Sequence, residues 1–102
     1  ASDQRFTAAV TFNDVMAAGM MRTCHQRQVQ LPQALSIVGF DDLKLAQYCD
    51  PPLTTVAQPR FQIGQQAMLL LLEQLNGQTV ASGSRLLDSE LIIRGSTAAP
   101  KR

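Results

Sequence analysis

Three apolar runs in this chain stop abruptly on polar side chains. Thr7–Phe12 reads as a short buried strand that ends at Asn13 and Asp14. Leu35–Phe40 reads as a second strand, apolar throughout as strands buried on both faces are, and it ends at Asp41 and Asp42. Leu53–Gln58 is the third, ending on the amide of Gln58. Helical spacing fills the intervals. Val15, Met16, Gly19, Met20, Thr23 and Cys24 predict a helix to about Arg27, its first amides capped by Asn13 or Asp14. Gln28–Pro32 is a connection, and Asp41–Cys49 holds at most one weak helical turn before Asp50-Pro51-Pro52 breaks it. Gly64, Ala67, Met68, Leu71, Leu72 and Leu75 form a single apolar stripe, the clearest helix of the chain, with Pro59 suited to its first position and Asn76-Gly77 to its left-handed stop.

Gln78–Ser84 reads as a polar loop, and Arg85–Leu87 and Glu90–Arg94 as two late strand segments. The resulting order, β-α-β-(short)-β-α-β-β, is a doubly wound α/β pattern. Two full helices cannot cover both faces of a parallel sheet of four or five strands, so the chain reads as a piece of a larger fold. Open α/β sheets bind ligands at the carboxyl ends of their strands, which is where Asn13, Asp14, Asp41 and Gln58 stand. Amides and carboxylates of this kind suit a small polyhydroxylated ligand better than a reacting centre.

Composition narrows the classes. At 102 residues and 45% hydrophobic, the chain has the make-up of one small globular domain. Its longest apolar run, Ala67–Leu72, is far short of the roughly 20 residues a spanning helix needs. Nine Lys and Arg against eight Asp and Glu leave a net charge of +1 and no basic face for nucleic acid. Cys24 and Cys49 lie in neither a C-x-x-C pair nor a metal spacing, and with His25 they make no zinc set, so reduced thiols in a cytoplasmic protein are expected. Cys24 and His25 are adjacent on a helix and point about 100° apart, which disfavours a thiol enzyme. Neither a nucleophile–base pair nor a phosphate-binding Gly-rich loop is present, so no enzyme and no cofactor is implied.

Four strings in order, Phe12–Gly19, Leu31-Pro32 with Leu35–Asp42, Pro51–Pro59 and Glu90–Thr97, resemble the carboxyl-terminal end of the LacI/GalR family of bacterial repressors. Gln47–Arg60, Gly83–Leu87 and Glu90–Thr97 are similar to the branch of that family governing nucleoside uptake and catabolism. The resemblance implies the C-terminal part of a periplasmic-binding-protein-like type I fold, two-lobed with doubly wound parallel sheets. Residues 1–102 would form mostly the C-terminal lobe, without the helix-turn-helix and most of the N-terminal lobe. The helix after Pro59 would cross into the other lobe and the last strands would cross back.

It also implies roles. Asn13 resembles a position whose amide meets ligand in the cleft, with helix capping as its structural alternative, and Asp14 could fill either role. Asp41 stands where sugar-binding relatives accept hydrogen bonds from adjacent ligand hydroxyls, while Asp42 reads as the structural carboxylate of the two. Gln58 resembles a position at the hinge crossing that reaches ligand in several relatives. Phe12 and Phe40 could flank a base, but buried packing is the better reading for both, as core packing is for Met16. Ala18, Arg22, Tyr48 and Cys49 match positions used in dimer contacts. The implied partners are a small-molecule effector, nucleoside or sugar-like, a second subunit, and operator DNA reached only through the missing amino-terminal module. A periplasmic sugar-binding protein of a transport system would have the same fold and nearly the same cleft chemistry.

Overall fold

The computed structural model describes residues 6–77 and 86–100 of the chain. Its elements run β1 (Ala8–Val10), α1 (Asp14–Gln26), β2 (Ser36–Val38), a 3-10 turn (Lys44–Tyr48), β3 (Thr55–Ala57), α2 (Arg60–Leu75) and β4 (Glu90–Ile92). The described residues divide into two compact units, 6–57 with 90–100, and 58–77 with 86–89.

In the first unit β1 pairs in parallel with β2, Ala8 opposite Ser36 and Val10 opposite Val38. Bridges at Val38–Thr54 and Asp41–Ala57 continue the parallel arrangement toward β3. The sheet then turns: β4 pairs antiparallel with β3, Thr55 opposite Ile92 and Ala57 opposite Glu90. Helix α1 packs on β2 and on the 3-10 turn. Ala17 and Met21 of α1 meet Leu35, Ile37, Ala46 and Leu53 in a core that Cys24 and Cys49 border.

Several expectations are revised. β1 is not a buried strand: Val10 is 80% and Phe12 78% exposed. Among the described residues its ladder partner is β2. The inward face of α1 is set by Asp14, Ala17 and Met21, not by Val15 and Met16, which are each 56% exposed. The offset follows from Asp14, which turns inward to anchor a polar network and rotates the apolar stripe with it. Met16 is therefore a surface residue, and Phe40 is likewise exposed rather than packed. Leu86 and Leu87 belong to no strand, and the polar loop expected over 78–84 and Arg85 lie outside the described residues.

In the second unit α2 begins one residue later than expected. Pro59 adopts a non-helical ψ of 69° and stands as the cap before Arg60. The stop is as expected. Asn76 N–H bonds back to the Leu72 carbonyl at 3.0 Å, and Gly77 takes the left-handed conformation, φ 77°, that a residue without Cβ adopts freely.

Candidate ligand-binding edge

The carboxyl ends of β1 and β2 lie side by side. Asp14 N–H donates to the Phe40 carbonyl at 3.0 Å, and Thr11 N–H to the Val38 carbonyl at 2.9 Å. These bonds bring Asn13 and Asp41, 28 positions apart in sequence, to neighbouring strand ends. Asn13 has extended backbone and caps α1, its Oδ1 accepting from Met16 N–H at 2.9 Å. Capping uses the amide oxygen alone and makes no demand on the two Nδ2 donors.

Asp14 sits differently. It is 0% exposed. Thr55 Oγ1 donates to its Oδ1 at 2.6 Å, and Leu43 N–H donates to its Oδ2 at 2.7 Å. A buried carboxylate with both oxygens engaged is held by the interior, not offered to solvent. Gly39 makes the approach possible, because a Cβ there would run into the Asp14 carboxylate and lie 2.8 Å from Leu53 Cδ2.

Asp41 and Asp42 both have positive φ, 115° and 55°. Each such non-glycine residue costs on the order of 1–3 kcal/mol and persists only where its surroundings over-determine it. Here the surroundings come from other strands. Asp41 N–H donates to the Val56 carbonyl at 2.8 Å, and Asp42 N–H to Thr55 Oγ1 at 3.3 Å. Asp42 Oδ1 accepts from Arg94 Nη2 at 2.9 Å in a partly buried ion pair, while Arg94 Nη1 donates to the Leu53 carbonyl at 2.9 Å. Asp42 thus has the structural part expected of it, and Asp41 stays half-buried at the strand end. Gln58 follows β3 in the chain but belongs to the second unit, where it is half-buried and its carbonyl accepts from Arg60 N–H at 2.8 Å.

A second polar cluster is formed by Thr54, Arg94, Ser96 and Thr97. Ser96 is fully buried, donating from Oγ to the Ile37 carbonyl at 2.6 Å and accepting from Thr54 N–H at 2.8 Å. Thr54 Oγ1 accepts from Arg94 N–H at 2.9 Å and shares a 2.9 Å bond with Thr97 Oγ1. Thr54 and Thr55 lie in the Pro51–Pro59 segment, where nothing local shows that their hydroxyls meet Arg94 and Asp14.

Of the residues matched to dimer contacts, Ala18, Arg22 and Cys49 line one shallow groove of about 350 Å³ together with Met21, His25 and Asp50. His25 Nε2 donates to the Asp50 carbonyl at 2.6 Å, joining the end of α1 to the loop after the 3-10 turn. Tyr48 is 74% exposed. Burial pushes the thiols of Cys24 and Cys49 above their ordinary range, and for Cys49 the Asp14 charge adds to the effect while Arg94 opposes it. Among the described residues no group of His, Cys, Asp and Glu is placed to hold a metal ion, and no helix is long and apolar enough to cross a membrane.

The chain is similar to known proteins. The periplasmic binding protein-like domain model matches residues 1–97. The HTH-type transcriptional repressor CytR of Escherichia coli (strain K12) is 58% identical over 93 residues, which are 91% of this chain and 27% of that protein. The dimeric Lac repressor with an 11-residue C-terminal deletion superposes with a TM-score of 0.83 at 37% identity, covering 93% of this chain and 35% of that one. The transcription regulator CcpA of Lactococcus lactis gives a TM-score of 0.86 at 31% identity, covering 92% and 35%. The chain spans about a quarter of the length of the curated relatives it matches, CytR among them at 27%.

Proposed function

Since the chain belongs to the periplasmic binding protein-like domain family, we propose that it is the C-terminal part of the effector-sensing domain of a LacI-type transcriptional repressor, and that its effector is a nucleoside such as cytidine. The observation that carries this reading is the pairing of Asn13 and Asp41 at the adjacent carboxyl ends of two parallel strands. The amide supplies donors for ribose or base edges, and the carboxylate accepts from a vicinal diol. Phe12 and Phe40, both exposed, are available to flank a base. Gln58, matched to a ligand position by resemblance, belongs to the second unit and is proposed as a contact on that resemblance alone. Asp14, matched to the same set by resemblance, contributes by fixing the loop that carries Asp41. The similarity to CytR favours a repressor over a transport protein of the same fold.

In the whole protein the effector would favour one arrangement of two lobes, and it can do so only through its differential affinity for the two. A second subunit would dock across Ala18, Arg22, Tyr48 and Cys49, and a repressor with this fold is described as dimeric. Operator DNA would be contacted by a separate module.

The test is cytidine titrated calorimetrically into the complete protein encoded by the reading frame that contains this chain. Binding is expected, with Asp41→Ala weakening it by about 1–3 kcal/mol through a lost charge-assisted hydrogen bond. Unchanged affinity in Asp41→Ala overturns the role of that carboxylate, and absence of binding overturns the nucleoside.

A further inference from the structure

We propose that Arg94, working through Asp42, is a positioning residue for the Asp41 carboxylate: it holds Asp41 and Asp42 in the left-handed conformation that presents Asp41. The inference rests on the reading of Asp41 as a ligand contact and adds to it a residue from the far end of the chain, 53 positions away.

The geometry supports it step by step. Asp41 and Asp42 are consecutive non-glycine residues at φ 115° and 55°, a conformation uncommon without glycine, although Asp adopts it more readily than most residues. Every backbone N–H from 41 to 43 is tied to a different partner: Val56 carbonyl, Thr55 Oγ1 and Asp14 Oδ2. Those bonds hold the turn by its amides, and the Asp42 side chain holds it from a further point. Arg94 grips that side chain as a bridge, one guanidinium nitrogen on Asp42 Oδ1 and the other on the Leu53 carbonyl, both at 2.9 Å. Its own backbone is fixed in turn by the 2.9 Å bond from its N–H to Thr54 Oγ1. A planar fork held at its base and at both tips has little freedom to move, so the carboxylate it grips is held as well.

Arg94→Met, which keeps the packing stem and removes the fork, is compared with Asp42→Asn, Asp41→Ala and the double variant Arg94→Met/Asp41→Ala. The readouts on the complete protein are cytidine affinity and the exchange protection of individual backbone amides. Arg94→Met is expected to weaken cytidine about tenfold or more, the effect of losing a hydrogen bond to a charged group. The double variant is expected to bind no more weakly than Asp41→Ala alone, because the loss passes through that residue. Protection is expected to fall at Asp41 and Asp42 and to persist at Ile37. A merely structural Arg94 gives additive losses or a uniform fall in protection, and either overturns the proposal. If the unaltered protein ignores cytidine, the nucleoside reading fails by itself, and the exchange arm still decides: unchanged protection at Asp41 in both Arg94→Met and Asp42→Asn refutes the positioning role. Should Arg94→Met not fold, Asp42→Asn carries both readouts.

Discussion

The body made of residues 6–57 and 90–100 encloses a small apolar core and, beside it, a polar network whose members are separated by tens of residues. Helix α2 has no buried residue, and Met68, Leu71, Leu72 and Leu75 along its stripe are 45–79% exposed. The two regions are held by different means. In the body, the buried carboxylate and hydroxyls are matched to donors or acceptors on distant segments of the chain, so removing one member leaves its partners unsatisfied. In α2 the backbone bonds and the Asn76-Gly77 stop specify a helix, but its side chains add almost nothing to their own burial. Side-chain truncation is therefore costly in the first region and cheap in the second.

The largest expected effect follows from Asp14. Asp14→Ala leaves the fully buried Thr55 hydroxyl and the half-buried Leu43 N–H without their acceptor. A loss of about 3 kcal/mol in unfolding free energy is expected, against at most about 0.5 kcal/mol for Leu71→Ala in α2, which is 53% exposed. Denaturant melts of the two variants decide it. Equal losses would erase the distinction between the regions.

Gly39→Ala comes next. The added methyl meets the Asp14 carboxylate and Leu53 Cδ2, the latter at 2.8 Å, and neither can withdraw, since both are fully buried. About 1–3 kcal/mol of overpacking cost is expected. Gly64→Ala, with open space around it in α2, is expected to gain up to about 1 kcal/mol from helix propensity. Thermal melts with opposite signs for the two alanines would sharpen the comparison, and equal signs would break it.

What the sequence makes legible divides along the same line. Caps and stops are local: Asn13 reaches only three residues ahead to Met16, and Asn76-Gly77 closes on Leu72 and Gln74, so spacing alone reveals them. The apolar run Leu35–Phe40 likewise reads as a strand because strands buried on both faces admit few polar residues. Arg94 with Asp42, Ser96 with Ile37 and Thr55 with Asp14 span 41 to 59 positions, and no local pattern encodes such meetings. Asp14 shows the consequence. As a residue type after a strand it reads as a cap or a ligand contact, and only the fold shows Thr55 and Leu43 waiting for it. The exposure of Phe12 and Met16 is hidden for a related reason, since periodicity gives a stripe its spacing but not which neighbour, if any, will cover it.

The stripe on α2 offers a test with little effect on folding but a visible one on association. Contiguous exposed apolar surface favours self-association. Light scattering on this chain is expected to show species larger than a monomer, and Leu71→Gln with Leu75→Gln is expected to shift the distribution toward monomer while the melting temperature stays nearly constant. A monodisperse monomer with a cooperative transition and no binding of a dye to apolar surface would show that the stripe is covered in solution.

The smallest expected effect lies in the chemistry of the body. Cys49 Sγ donates to the Leu45 carbonyl at 3.4 Å, and burial raises its pKa, which means less thiolate at any given pH. The Asp14 charge raises it further and Arg94 lowers it, so the two ends of the polar network act on this thiol with opposite signs. Arg94→Met removes a cation that favours the thiolate, and alkylation of Cys49 at pH 8 is expected to slow. Asp14→Asn removes an anion that disfavours it, and alkylation is expected to quicken while the protein remains folded. Cys24 is raised by burial alone and serves as the internal control, its rate unchanged in either variant. The rates, read peptide by peptide by mass spectrometry, give the sign directly. The linkage to stability runs the same way: a thiol whose folded pKa is raised contributes stability that is full below the unfolded value and lost as pH rises through the folded one. Alkaline solutions above about pH 9 are therefore expected to weaken the body, while α2 carries no cysteine and has no share in that loss. Equal alkylation of Cys49 in both variants would show that the network's charges do not reach it.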